Sequence, residues 1–175
     1  MNLRKLMTAF TIFIILLAQT TNLTFAQYET LSSFSTNFNP GSVGRAANIK
    51  KAAHLINETV VYPGQTFSFN DTIGPTTQKR GFSLAKIFIK GKEADGYGGG
   101  VCQVSSTLFN AADEAGLAIV ERHPHSKKVT YVPDDRDAAT SYGDIDLRFR
   151  NDYDFPVIIR AAAYKNIVTV EIGAV

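Results

Sequence analysis

The chain has 175 residues, a formal net charge of +2, one cysteine and no tryptophan. That length suits one domain, and 45% hydrophobic against 19% charged residues supports a packed core rather than intrinsic disorder. The small net charge argues against a nucleic-acid surface, and a single cysteine excludes an intramolecular disulfide framework.

Arg4 and Lys5 precede an apolar run, residues 9–18 (AFTIFIILLA), and then Thr24-Phe25-Ala26, with small residues at its first and third positions. This is the charged, apolar and cleavage-site order of a secretory signal peptide, residues 1–26. The apolar run is short of the roughly 20 residues a spanning helix needs. An uncleaved N-terminal anchor is the alternative. Cleavage after Ala26 leaves residues 27–175, with basic and acidic residues balanced at 16 each. The expectation is a secreted, formally neutral domain with no stable membrane span. In an oxidising compartment a lone Cys102 is buried and inert, paired between chains, or kept for its reactivity.

Residues 27–41, rich in Ser, Thr and Asn, read as a flexible lead-in to a domain over 42–175. Ser42 suits the cap of a helix to about Ile56, with Val43, Ala46, Ala47, Ile49, Ala53 and Ile56 as its apolar stripe. His54, within it, reads as a surface residue. Strands are expected at 59–62, ended by the Pro63-Gly64 turn, and at 66–69 and 85–90. The five glycines in residues 91–100 predict an irregular loop. A second helix follows over 103–115, stopped by Gly116. Strand-like segments occupy 118–122, 128–132, 146–150, 156–161 and 167–172. The whole reads as a single α+β domain: mainly antiparallel sheet, two principal helices, and Cys102 at a helix N-terminus after a Gly-rich loop.

The stretch GGGVCQVSSTL (98–108) carries the chemistry. Glycines before a helix bring a ligand close to the main chain. The first helical turn has free N–H groups and a partial positive charge, which lowers a thiol pKa and suits an oxyanion. A thiol nucleophile also wants a base, and the base an orienting partner. His123-Pro124-His125 and Asp134-Asp135-Arg136-Asp137 lie downstream to supply them. The bland alternative is a small buried cysteine at a helix start. A metal site is the chemical competitor: His123 and His125 on one face of a strand, with Cys102 or an aspartate, make three zinc ligands with one position open. No HExxH or CxxC pattern accompanies them.

The chain resembles the VanW family. The matching motifs are Pro63-Gly64 with Phe67-Ser68-Phe69-Asn70, Gly81-Phe82, GGGVCQVSSTLF (98–109) with Asn110-Ala111-Ala112, and Glu121-Arg122-His123 with His125-Ser126. They continue as Tyr131-Val132-Pro133, Asp137-Ala138, Tyr142-Gly143 and Asp146-Leu147-Arg148-Phe149-Arg150-Asn151. They span about residues 42–173. One departure is Asp135, where the family more often has glycine. The family is named after an accessory component of vancomycin-resistance clusters, and some members are understood to act as L,D-transpeptidases through the family cysteine.

The resemblance thus implies a wall-associated protein whose partner is the peptidoglycan stem peptide. Cys102 is the implied nucleophile, attacking the carbonyl at stem position three. His125 is the chosen base, exchangeable with His123, and Asp137 the orienting residue. Gln103, Gly100, Ser105 and the Cys102 N–H are the oxyanion or substrate-binding candidates. Arg122 and Arg148 are candidates for a stem carboxylate, with surface ion pairs as their ordinary alternative. This reading assigns no cofactor and no metal ligand. Two other classes stay open: a zinc-dependent wall peptidase and a non-catalytic wall-binding or accessory module.

Overall fold

The computed structural model describes residues 29–89 and 92–175; residues 1–26, read from the sequence as a signal peptide, lie outside them. The described residues form a single α+β domain with three antiparallel sheets and three α-helices, two of them long.

Residues 29–37, expected as part of a lead-in, are instead the edge strand β1 (Glu29–Asn37). β1 pairs antiparallel with the C-terminal strand β9 (Ile167–Ala174), which pairs with β8 (Val157–Tyr164), which pairs with β2 (Thr59–Val61). The inward positions of β1 are mostly hydroxyls, so its alternation carries little apolar signal. Ser32 Oγ donates to the Ala111 carbonyl (2.6 Å) and Thr36 Oγ1 bonds Thr107 Oγ1 (2.8 Å).

Helix α1 (Val43–Ile56) packs on β8. Ser42 stands at its N-cap but makes no side-chain capping bond. The apolar stripe differs from expectation: Val43 and Ala47 are exposed, while Asn48 and Ala52 turn inward with Ala46, Ile49, Ala53 and Ile56. Asn48 is buried because three backbone groups satisfy it. It donates to the Ser83 and Gly99 carbonyls (2.9 and 3.0 Å) and accepts the Ser83 N–H (2.8 Å). His54 is exposed.

A second sheet places β7 (Arg148–Arg150) between β3 (Thr66–Ser68) and β6 (Ala118–Glu121). Phe67 and Phe149 stack across it with centroids 4.9 Å apart. The short helix α2 (Phe69–Ile73) follows β3, capped by Ser68 Oγ, which accepts the Asp71 N–H (3.0 Å).

The Gly-rich loop reading is corrected over most of its length. β4 (Leu84–Ile89) and β5 (Lys92–Tyr97) form a hairpin, with Lys86 pairing across it to Glu93 and Asp95. Only residues 98–100 remain as the turn into helix α3 (Val101–Glu114). The segment 128–132, expected as a strand, is irregular: Tyr131 turns toward the His125 ring instead of joining a ladder.

Helix α3 is the centre of the molecule. Residues 103–112 are all buried. Its C-terminus closes as a Schellman motif, with Gly116 (φ 75°) donating to Asp113 and Leu117 donating to Ala112 (both 3.0 Å).

Candidate active site

Two devices bring Cys102 to the start of α3. Gly100 is the N-cap, at φ 105°, a left-handed conformation natural to glycine. A Cβ there would stand 2.9 Å from Arg45 Cγ and 3.0 Å from Ile49 Cγ1, so the bare backbone lets α1 pack against the helix start. Asn48 fixes the preceding Gly99 carbonyl. Of the first three helical N–H groups, Val101 donates to Gly98 and Gln103 to Gly100 (both 3.0 Å). That of Cys102 has no capping bond among the described residues.

The base and acid arrive on an irregular segment held by side chains. Buried polar residues of α3 zip it down. Ser105 Oγ donates to the Ala138 carbonyl (2.6 Å), Ser106 Oγ accepts the Ala138 N–H (2.9 Å), and Asn110 donates to the Arg136 carbonyl (2.7 Å). Ala139 donates to the His123 carbonyl (2.8 Å) in an antiparallel bridge, and that register sets His125 opposite Asp137. Asp135 holds φ 61° in the adjoining turn, which explains why glycine suits this position; Asp tolerates it better than most residues.

Cys102, His125 and Asp137 therefore meet. The His125 ring stands beside the Cys102 thiol, and each favours the charged form of the other. Its Nδ1–H donates to Asp137 Oδ2 (2.5 Å), which also accepts the His125 backbone N–H (2.6 Å). The ring is thus oriented with Nε2 away from the carboxylate. The thiol donates to the Thr140 carbonyl (3.4 Å), and the Thr140 hydroxyl lies 3.8 Å from the sulfur. Tyr131 Oη lies 3.4 Å from both His125 Nε2 and the Cys102 carbonyl.

The electrostatics favour an ion pair. Burial pushes the Cys102 thiol up, but His125 and then Thr140 outweigh it and hold the thiol below its ordinary value. Burial likewise opposes charge on His125, yet Cys102 and Asp137 raise its pKa above the usual imidazole range. Burial also opposes ionisation of Asp137; the His125 bonds and the Arg122 charge nonetheless hold its carboxyl low. Burial pushes the Tyr131 phenol far up, so it stays protonated.

The other residues that the sequence offers for the site fall elsewhere. Gln103 is 1% exposed and has no N–H left for an oxyanion: Nε2 donates to Thr36 Oγ1 (3.0 Å) and the Asn37 carbonyl (2.8 Å). Ser105 is fully buried, its hydroxyl spent on the Ala138 and Cys102 carbonyls. Arg122 clamps the acid: it donates to Asp137 Oδ1 (2.9 Å) and to the Asp137 and Asp135 carbonyls (2.6 and 2.9 Å). Arg148 is exposed on β7 opposite Glu121. His123 bonds Glu121 Oε1 (3.0 Å) and faces a different carboxylate from His125. Neither histidine lies within a strand, and among the described residues no group of three or more His, Cys, Asp or Glu side chains is arranged to hold a metal. Thr140, Asn48 and Arg45 carry no sequence signal of a site; Tyr131 does, as part of the Tyr-Val-Pro motif. An open cleft of about 340 Å³ reaches His125 and Asp137 from the side of Pro124, Lys128 and Pro133.

A thiol in the first turn of a buried helix, an imidazole beside it and a clamped carboxylate behind define a Cys-His-Asp site in an α+β domain. The model of the family described as VanW like protein matches residues 44–173, and the chain belongs to that family. It is 48% identical over 136 residues to a Bacillus subtilis (strain 168) protein described as Uncharacterized protein YoaR, covering 78% of this chain and 45% of that one. It is 34% identical over 112 residues to the Vancomycin B-type resistance protein VanW of Enterococcus faecalis (strain ATCC 700802 / V583), covering 61% and 41%. The matches thus span less than half the length of these relatives. No solved structure matches. Among the described residues no helix is long and apolar enough to cross a membrane.

Proposed function

We propose that the protein is an extracytoplasmic thiol acyltransferase of the L,D-transpeptidase type, acting on peptidoglycan stem peptides. The observation that carries the acyl-transfer chemistry is the His125–Asp137 hydrogen bond, clamped by Arg122, beside a Cys102 thiol whose ionisation His125 favours. The wall substrate rests on membership of the VanW-like family, on the Enterococcus relative's description as a vancomycin B-type resistance protein, and on the signal-peptide reading of residues 1–26.

In this reading His125 Nε2 holds the Cys102 proton, leaving a thiolate–imidazolium pair. Sulfur attacks the carbonyl of stem residue three, and the oxyanion forms beside the Cys102 N–H and the positive end of α3. His125 returns its proton to the departing amine of the terminal D-alanine, leaving a thioester on Cys102. An acceptor amine attacks that thioester and passes a proton to His125, and the thiolate is expelled as the new amide forms. Asp137 stays ionised throughout, fixing the tautomer and stabilising the imidazolium.

Incubation with purified disaccharide-tetrapeptide and intact-protein mass measurement tests the proposal. The expected result is a mass gain equal to the disaccharide-tripeptide acyl group on the native protein and none on Cys102→Ala. Equal 3–3 cross-linking by Cys102→Ala would sink it.

A further inference from the structure

The sequence offers Arg122 and Arg148 for a substrate carboxylate, and the structure leaves neither suited. Arg122 is spent on Asp137, and Arg148 faces Glu121 on β7. A third arginine lies nearer the start of α3. Arg45, on α1, is half-buried and crosses the start of α3, where Gly100 leaves room for it. Its guanidinium carbon lies 6.0 Å from the centroid of the Tyr131 ring, whose hydroxyl touches both His125 Nε2 and the Cys102 carbonyl.

The partners of Arg45 are unusual for a half-buried cation. Nη2 donates to Gln103 Oε1 (2.7 Å), a neutral acceptor. No ion pair among the described residues includes Arg45, whereas Arg122 and Arg136 each hold a carboxylate. A guanidinium has five N–H donors in a planar fork, and one neutral amide uses one of them. Gln103 is itself gripped from the far side by Thr36 and Asn37, so it aims the fork rather than following it. A partly desolvated, oriented cation with open donors beside a nucleophile is built for a bidentate anion.

We propose that Arg45 binds the free C-terminal carboxylate of the peptide donor, making the site selective for stems whose leaving residue is terminal. This rests on the Cys102 reading for where the donor lies, because in that reaction the leaving D-alanine carries its carboxylate one residue beyond the attacked carbonyl. Recognition itself involves no bond making.

The test is binding, measured by calorimetry on Cys102→Ala with a stem tetrapeptide ending in D-alanine and with its C-terminal carboxamide. The acid is expected to bind about tenfold or more tighter than the amide. Adding Arg45→Gln should weaken the acid by a similar factor and leave the amide unchanged, with Arg45→Lys in between. Equal binding of acid and amide, no binding of either, or discrimination that survives Arg45→Gln would each overturn the proposal. The first comparison retains Arg45, so a folding defect in a variant cannot mask the answer. Acylation of the native protein separates the two readings. Acid-selective binding without a thioester removes the transferase and keeps Arg45; equal thioester formation from acid and amide keeps Cys102 and removes Arg45.

Discussion

Two buried aspartates make an instructive pair. Asp137 and Asp146 are almost equally hidden, 8% and 9% exposed, and both lie in family motifs. Asp146 is surrounded by neutral donors: the Ser68 hydroxyl (2.5 Å) and the backbone N–H groups of Asn70 and Leu147 (both 2.8 Å). Its own N–H donates to Glu121, the residue that also holds His123. Asp137 instead meets an imidazole and a guanidinium, and the imidazole meets a thiol. The two histidines of His123-Pro124-His125 are thereby divided, one to each network. A carboxylate satisfied by neutral donors joins strands; a carboxylate coupled to a titrating ring biases where a proton sits. Burial and motif membership do not separate these roles, but the charge of the partner does.

The largest expected break in this comparison is His125→Ala. Removing a general base lowers acylation by about 10²–10⁴-fold. It also removes the chief influence holding the thiol down against burial, so the midpoint of iodoacetamide labelling of Cys102 against pH should rise from below the ordinary value of ~8.5 to near or above it. A labelling profile indifferent to His125 would dissolve the proposed pair.

Asp146→Ala comes next and acts on the other network. It strips acceptors from Ser68 and from two backbone N–H groups, and about 3 kcal/mol of unfolding free energy is expected to go in a urea titration. The labelling profile of the protein that remains folded should stay where it was. Asp137→Asn divides its effect differently. About 10–100-fold in acylation is expected, with a smaller loss of stability. Its lowered carboxyl pKa means that Asp137 stabilises the fold above the ordinary carboxyl range, and that contribution fades as pH falls through the lowered value. Because Asp137 helps raise the His125 pKa, the asparagine variant should also lose activity at a lower pH on the basic side of its rate profile.

Legibility in the sequence follows the same divide. β8 and β9 are legible because their apolar residues match their burial, whereas the two long helices are legible in extent but not in face: α1 buries Asn48 and exposes Val43, and α3 is buried on all sides over 103–112. β1 is not, because its inward side writes its alternation in Ser32 and Thr36, which bond α3 rather than fill a core. β5 is hidden by Gly91 and Gly96, although charged cross-strand pairs hold its hairpin together. In the candidate site, Cys102, His125 and Asp137 are legible from local chemistry and motif. Gln103 and Ser105 mislead because position near a helix start does not say which way a side chain bonds. The Arg45–Gln103 contact is out of reach, since its residues are 58 positions apart and nothing in either segment names the other.

The smallest expected effect is the sharpest test of the division. His123 sits two positions from His125, carries the same ring, and is by sequence an equal candidate for base. Its side chain is 41% exposed, and it pairs with Glu121, whose Oε1 is also held by the Asp146 N–H. Removing a partly exposed hydrogen bond costs about 0.5–1 kcal/mol. His123→Ala should therefore leave acylation within about twofold and the thiol labelling midpoint in place, with only a slight fall in the urea midpoint. The double substitution with Asp146→Ala should cost close to the two single losses summed, since the Asp146 group that meets Glu121 is the backbone N–H, which alanine keeps. Combination with Asp137→Asn should be additive in stability, because that carboxylate belongs to the other network. A His123 variant that moves the Cys102 midpoint would show that the two networks share a proton and that the base has been assigned to the wrong ring.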